Sequence, residues 1–124
     1  MADINFIPGK GSIGFQVEVT TPQVVGYQIT VIDPDGNTEL EHYVGSQATN
    51  PYQVTLPKPA GSYDGCYISG TFVIIDPEGA GNNYNLNFSI RQGGYDLKPV
   101  QNIKGKTVDG KLPKTAIFHL HASA

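Results

Sequence analysis

Apolar and polar residues alternate along most of this chain. The alternation is clearest in residues 84–92, where polar residues separate the apolar positions Tyr84, Leu86, Phe88 and Ile90. Successive side chains of a β-strand point to opposite faces of the sheet. The pattern therefore predicts a strand with one buried face and one face in water.

The same period of two recurs along the sequence and predicts seven or eight strands. They lie in residues 12–20, 24–32, 38–44, 53–56, 66–75, 84–92 and 115–121, with a weaker strand near 103–108. Residues 33–37 have the turn sequence Asp-Pro-Asp-Gly-Asn, in which proline fixes φ and glycine accepts a positive φ. The strands on either side of this turn should form a hairpin.

Composition excludes long helices. Gly and Pro supply 15 and 9 of the 124 residues, and both residue types disrupt helices. The longest segments free of both, 82–92 and 114–124, have 11 residues each, which is too short for a lone helix to be stable in water. We therefore expect one all-β domain over residues 1–124, an antiparallel sandwich of Greek-key or immunoglobulin-like type. A jelly roll or a small barrel is the alternative.

The prolines and glycines also predict where strands end or bend, because proline cannot donate to a sheet ladder and an internal glycine often marks a bulge. Strand ends are expected at Pro22, Pro34, Pro57, Pro77 and Pro113. Bulges are expected at Gly26 and Gly70. Residues 53–56, which end at a proline, suit an edge strand.

Charge and hydropathy limit the partners. The net charge is −3 and only 15% of residues are charged, so we expect no nucleic-acid partner. Residues 98–124 hold five lysines and one acidic residue, which we interpret as a protected sheet edge or, alternatively, a basic patch for an acidic partner. The sequence has neither an apolar run of about 20 residues nor a signal-peptide pattern. We expect a cytoplasmic protein without a membrane span, unless a leader has been removed.

Tyrosine, asparagine and glycine gather in several loops and on polar strand faces. Tyrosine offers a large contact area with a hydroxyl group, and asparagine offers adaptable hydrogen bonds. The candidate ligand-binding residues are Tyr43, Asn83, Asn85, Asn87, Tyr95 and Asp96. They favour a non-catalytic binding module for a glycan or a protein. The alternative is a structural subunit of coat, fibre or inclusion type, which pairs exposed strands with copies of itself.

Metal binding is a weaker hypothesis. Asp33, Asp35, Asn37 and Glu39 alternate at a spacing that suits calcium, but the glycine and glutamate positions of an EF-hand loop are not matched. We expect no cofactor, with calcium at this turn as the alternative. His119 and His121 share a strand face and can reach one zinc ion together, with His42 considered as a further ligand. A zinc site needs three or four ligands, however, and the only cysteine lies on an apolar row elsewhere. We interpret His119 and His121 as exposed histidines near a chain end.

Catalytic signals are weak. Glu39 and Glu41 share a strand face, as any acidic pair two residues apart in a strand would, and we interpret them as a charged solvent face. Cys66 alternates in phase with the apolar residues Ile68, Phe72 and Ile74 and is expected to be a core thiol. The sequence has no nucleophile elbow, phosphate loop or zinc-protease motif. We therefore expect no enzyme, and a small accessory enzyme is the third hypothesis.

Overall fold

The computed structural model describes residues 1–46 and 50–123, apart from the side chain of Val24. The described chain forms nine strands and one turn of 3-10 helix at Ala60–Tyr63. The strands are β1 (Ala2–Phe6), β2 (Ile13–Val19), β3 (Val24–Ile32), β4 (Glu39–Ser46), β5 (Tyr52–Thr55), β6 (Tyr67–Ile75), β7 (Asn83–Gln92), β8 (Tyr95–Lys106) and β9 (Lys111–Ala122). In this part of the chain, no helix is long and apolar enough to cross a membrane.

The strands form two packed sheets, so the predicted all-β sandwich is confirmed. The larger sheet has five strands in the order β1-β9-β6-β3-β4, and the smaller has four in the order β5-β2-β7-β8. Neighbours are antiparallel except β1 and β9, which run parallel. Within the described residues neither sheet closes into a barrel. The order differs from that of an immunoglobulin constant domain, whose first, second, fifth and fourth strands share one sheet.

Buried aromatic rings join the two sheets. Phe88 of β7 is fully buried, and its ring centroid lies 5.4 Å from that of Phe72 in β6 and 5.0 Å from that of Phe118 in β9. Phe15 of β2 completes the group at 6.3 Å from Phe88. The apolar row predicted in residues 84–92 is therefore the core row of β7, as its alternation indicates.

The described chain has one strand more than the highest predicted count, because β1 was not predicted, and β8 is longer than expected. β1 has only five residues, and its partner β9 lies at the other end of the chain. β8 covers 12 residues instead of the weak strand expected near 103–108. Most of its side chains are exposed, so polar and apolar residues alternate poorly there. Three of the five lysines, Lys98, Lys104 and Lys106, lie on this outer strand, whereas Lys111 and Lys114 lie on β9. Protection of the edge by these lysines stays a prediction.

Two assignments based on glycine and proline are wrong. The ladder irregularities fall between Val31 and Ile32 and between Phe88 and Ile90, not at Gly26 or Gly70. Gly70 instead leaves room for aromatic rings, because a Cβ built there would lie 2.8 Å from the Phe72 ring. Pro113 does not end a strand, since it lies inside β9 opposite Val73 of β6.

The expectation that Glu39 and Glu41 form a charged solvent face of β4 is wrong for Glu41. Leu40 and Val44 are exposed, at 38% and 66%, whereas Glu41 and Tyr43 are half-buried on the inner side. Glu41 therefore does not belong to a charged solvent face. Its two carboxylate oxygens accept hydrogen bonds from the hydroxyls of Tyr43 and Tyr63, each over 2.6 Å.

Candidate functional site

The outer face of the smaller sheet is almost wholly polar. The inner positions of β2 and β7 bury apolar residues such as Val17 and Leu86, so strand alternation turns the residues between them outward. We call this outer surface the amide face. Its members are Gln16, Glu18, Gln53, Thr55, Asn83, Asn85, Asn87, Ser89, Arg91, Asp96, Asn102, Lys104 and Lys106.

Three asparagines form a ladder across β7 and β8. Asn102 lies opposite Asn87, and its Nδ2 donates to Oδ1 of Asn85 at 2.6 Å and to Oδ1 of Asn87 at 2.8 Å. Both acceptor oxygens are thus turned towards Asn102, and the Nδ2 groups of Asn85 and Asn87 are left to donate elsewhere. Within the described residues neither Nδ2 has an acceptor. The ladder therefore presents two oriented amide donors to solvent.

An ion pair and a depression lie at the other end of the amide face. Arg91 donates to Oδ1 of Asp96 at 2.8 Å and to the carbonyl oxygen of Gly94 at 2.6 Å. Beside it, Gly14 pairs with Thr55 on one side and with Arg91 on the other. A depression of about 290 Å³ lies there, lined in part by Gly14 and Gln53. A Cβ at Gly14 would collide with the carbonyl oxygen of Val54.

The structure brings four of the six predicted ligand-binding residues onto one surface. Asn83, Asn85, Asn87 and Asp96 share the outer face of the smaller sheet. Asn102 completes the ladder and was missed, because the weak pattern of residues 95–106 concealed the strand on which it lies.

The two predicted tyrosines lie apart from this surface. Tyr95 is 78% exposed, but it pairs with the inward-facing Gln92 at the end of the sandwich, so its side chain leaves the strand on the opposite side. Tyr43 faces the core, with its ring centroid 5.4 Å from that of Phe15. Each tyrosine is therefore separate from the asparagine ladder.

The carboxylates proposed for calcium stabilise the β3–β4 turn. Asp33 Oδ2 accepts from the backbone N–H of Asp35. Asp35 in turn accepts from the backbone N–H groups of Asn37 and Thr38 and, over 2.6 Å, from the Thr38 hydroxyl. The bond from this hydroxyl, followed by those from the backbone, lowers the pKa of Asp35. Glu39 lies 2.9 Å from Nδ1 of His42. Calcium binding at this turn stays a prediction.

A second group of titratable residues joins the two ends of the described chain. Parallel pairing of β1 and β9 places Asp3 opposite His119, with His121 two residues further along β9. Asp3 Oδ1 lies 2.9 Å from Nε2 of His121 and 3.8 Å from Nδ1 of His119. The hydrogen bond from His121 lowers the pKa of the Asp3 carboxyl. His42, considered with these histidines from the sequence, lies on β4 at the opposite edge of the sheet.

Cys66 occupies the core, as predicted. It is 1% exposed, and burial raises the pKa of its thiol. A buried thiol with a raised pKa is a poor nucleophile, because the reactive species is the thiolate.

Searches with protein-family models, among curated proteins and among solved structures found no match to this chain. The chemistry of the two surfaces is therefore the basis for a functional proposal.

Proposed function

We propose that this protein is a non-catalytic binding module that holds a glycan on the amide face of its smaller sheet. The observation that carries the proposal is the pair of outward amide donors on Asn85 and Asn87, both oriented by Asn102. The Arg91–Asp96 pair, beside the depression at Gly14, adds charged hydrogen-bonding groups on the same surface.

Sugar hydroxyls both donate and accept hydrogen bonds, and this surface offers both kinds of partner. Amide groups supply donors and acceptors, guanidinium supplies donors only, and a carboxylate supplies acceptors only. The contacts among Asn85, Asn87 and Asn102 hold the donors in place before a ligand arrives. Such preorganisation reduces the entropy cost of binding.

The composition of the amide face favours a glycan over a protein partner. Every outward position of β2 and β7 is a polar residue or glycine, whereas the buried centre of a protein interface is usually apolar and depleted of charge. A surface without apolar anchors gains little from burial against another protein. It gains hydrogen bonds from a ligand that is itself covered with hydroxyl groups.

Glycan-array binding by the full chain and its variants tests the proposal. We expect the wild type to bind a defined subset of sugars, and Asn87→Ala to lose at least ten-fold in affinity for them. Gln28→Ala is the matched control, because it removes an exposed amide from the outer face of the larger sheet. Uniform background across all sugars, or equal losses in the two variants, would contradict the proposal.

Self-association through β4 is the second candidate function. β4 is the outer strand of the larger sheet, and it carries the exposed side chains of Leu40 and Val44 but no lysine or proline. Lysine and proline are the residues that commonly protect an edge from pairing with another chain. Light scattering after size-exclusion chromatography tests this candidate: a concentration-dependent oligomer that Val44→Lys abolishes would support it, and a monomer at all concentrations would contradict it.

A further inference from the structure

Two imidazoles and a carboxylate converge on the outer face of the larger sheet. They come from neighbouring parallel strands, Asp3 from β1 and His119 and His121 from β9. The carboxylate oxygen and one nitrogen from each ring all lie within 4.8 Å of one another. This surface is on the opposite side of the sandwich from the amide face, so it is independent of the proposed glycan site.

The orientation of His119 is fixed from two directions. Its Nε2 lies 3.1 Å from the carbonyl oxygen of Gly65, and because a carbonyl only accepts, Nε2 carries the hydrogen and donates it. The Tyr67 ring stacks on the imidazole, with centroids 4.1 Å apart and planes 11° apart. Metal-ligating histidines usually donate the hydrogen of their other ring nitrogen to a carbonyl or carboxylate group.

This tautomer leaves two acceptors facing each other. With the hydrogen on Nε2, the Nδ1 of neutral His119 presents a lone pair towards Oδ1 of Asp3, at 3.8 Å. Two lone pairs cannot bond to each other, but a cation between them would satisfy both. His121 brings a further nitrogen, Nε2, to the same carboxylate oxygen, at 2.9 Å. In the metal-free protein this nitrogen donates its hydrogen to Asp3, and metal binding requires that hydrogen to move to Nδ1 so that Nε2 is free to coordinate.

The spacing suits a small tetrahedral cation. Zinc bonds to nitrogen and oxygen are roughly 2.0–2.2 Å long, so neighbouring ligand atoms around a tetrahedral zinc are about 3.4 Å apart. The two separations from Asp3 Oδ1, 2.9 and 3.8 Å, lie on either side of that value. Side-chain exposures of 24% for His119 and 41% for His121 leave a fourth position accessible to water.

We infer that Asp3, His119 and His121 form a binding site for a divalent transition metal, with zinc as its most suitable occupant. Two imidazoles favour the later first-row metals over magnesium and calcium, which prefer all-oxygen sites. Three protein ligands and one open position are the ligand set of an accessible zinc centre rather than a closed structural one. The third ligand, missing from the histidine pair in the sequence, is supplied by the strand at the opposite end of the chain.

Calorimetric titration of the metal-free full chain with zinc tests the inference. We expect one equivalent to bind the wild type, and His119→Ala and Asp3→Asn each to weaken binding by at least ten-fold. His42→Ala is the matched control, since it removes an exposed histidine from the same face of the same sheet, and we expect it to bind zinc like the wild type.

Cobalt(II) provides a second readout of the ligand set. Bound to the wild type it should show the visible absorption of a four-coordinate ion, and His119→Ala should lose that absorption. Thermal melts in the presence of a chelator establish that each variant is folded before it is titrated. His121→Ala replaces any ligand variant that does not fold. Absence of saturable zinc binding to the wild type, or undiminished binding to the folded ligand variants, would overturn the inference.

Discussion

The hydroxyl of Tyr63 donates to Oε2 of Glu41 across 2.6 Å and joins the 3-10 turn to the outer strand β4. The same hydroxyl accepts from the backbone N–H of Lys58 at 3.1 Å. The other carboxylate oxygen of Glu41 is taken by Tyr43. One half-buried carboxylate is thus held by two tyrosines, and it links the strand edge to the segment between β5 and β6.

Tyr63→Phe should lower the free energy of unfolding by about 1.5–3 kcal/mol, the range for a hydrogen bond to a charged group. The substitution leaves the buried ring in place but removes the donor to Glu41 and the acceptor for Lys58. Chemical denaturation measures the change. Tyr95→Phe is the control: that side chain is 78% exposed, so we expect a change within about 0.5 kcal/mol. Equal effects of the two substitutions would show that the link to Glu41 is unimportant.

Stability should fall at alkaline pH because three tyrosines, Tyr27, Tyr43 and Tyr63, have raised pKa values in the folded state. Burial and the hydrogen bond to Glu41 raise the pKa of Tyr63 from 10.0 to about 12, and burial with the nearby Tyr52 does the same for Tyr27. A group whose pKa is higher in the folded than in the unfolded protein stabilises the fold fully at pH values below its unfolded pKa. That stabilisation is lost as the pH rises towards its folded pKa. The unfolding free energy should therefore decline between pH 10 and pH 12. A flat profile by chemical denaturation would contradict this assignment.

Phe88→Ala should cost about 3–5 kcal/mol of stability, because it leaves a cavity between the two sheets. Phe88 is fully buried, and its ring contacts those of Phe72 and Phe118. Val44→Ala is the control, since Val44 is 66% exposed and should change stability by less than about 0.5 kcal/mol. A loss below about 1 kcal/mol for Phe88→Ala would mean that this row of β7 is not the core.

Substitution by alanine should destabilise the fold at Gly70 but not at Gly26. At Gly70 the new Cβ would lie 2.8 Å from the Phe72 ring and 3.0 Å from the Phe88 ring, so overpacking should destabilise the fold by about 1–3 kcal/mol. At Gly26 no atom lies within 4 Å of such a Cβ. Gly26→Ala should therefore leave stability unchanged or raise it by about 0.4–1 kcal/mol, since alanine reduces the entropy of the unfolded chain. Thermal melts of the two variants compare them directly, and similar melting temperatures would contradict the prediction.

The inner strands of the sandwich were predictable from sequence because burial on one face imposes a period of two. β3 matches its predicted bounds, residues 24–32, and β7 begins one residue before the predicted strand 84–92. β8 was largely missed because it is an outer strand, where side chains on both faces are exposed and the period is lost. Alternation also does not say which face is buried. In β4 the large residues Leu40 and Val44 face outward, while Tyr43 packs against Phe15.

The candidate sites were predictable only where neighbours in sequence are neighbours in space. Asn85 and Asn87 lie two residues apart on one strand, so their shared face follows from strand geometry. The Asp3 contact with His121 spans 118 positions and depends on parallel pairing of the first and last strands, which no local pattern encodes.

That parallel pairing also dictates the order in which the larger sheet is completed. β1 is the outermost strand, and among the described strands it pairs with β9 alone. A nascent chain emerges from its N-terminal end, so β1 leaves the ribosome long before its partner. Until β9 follows, β1 has no strand to pair with, although its apolar side chains Ile4 and Phe6 are buried in the finished fold. Closure of β1 onto β9 therefore waits until β9 has emerged, and it is this late step that assembles the Asp3 and histidine cluster.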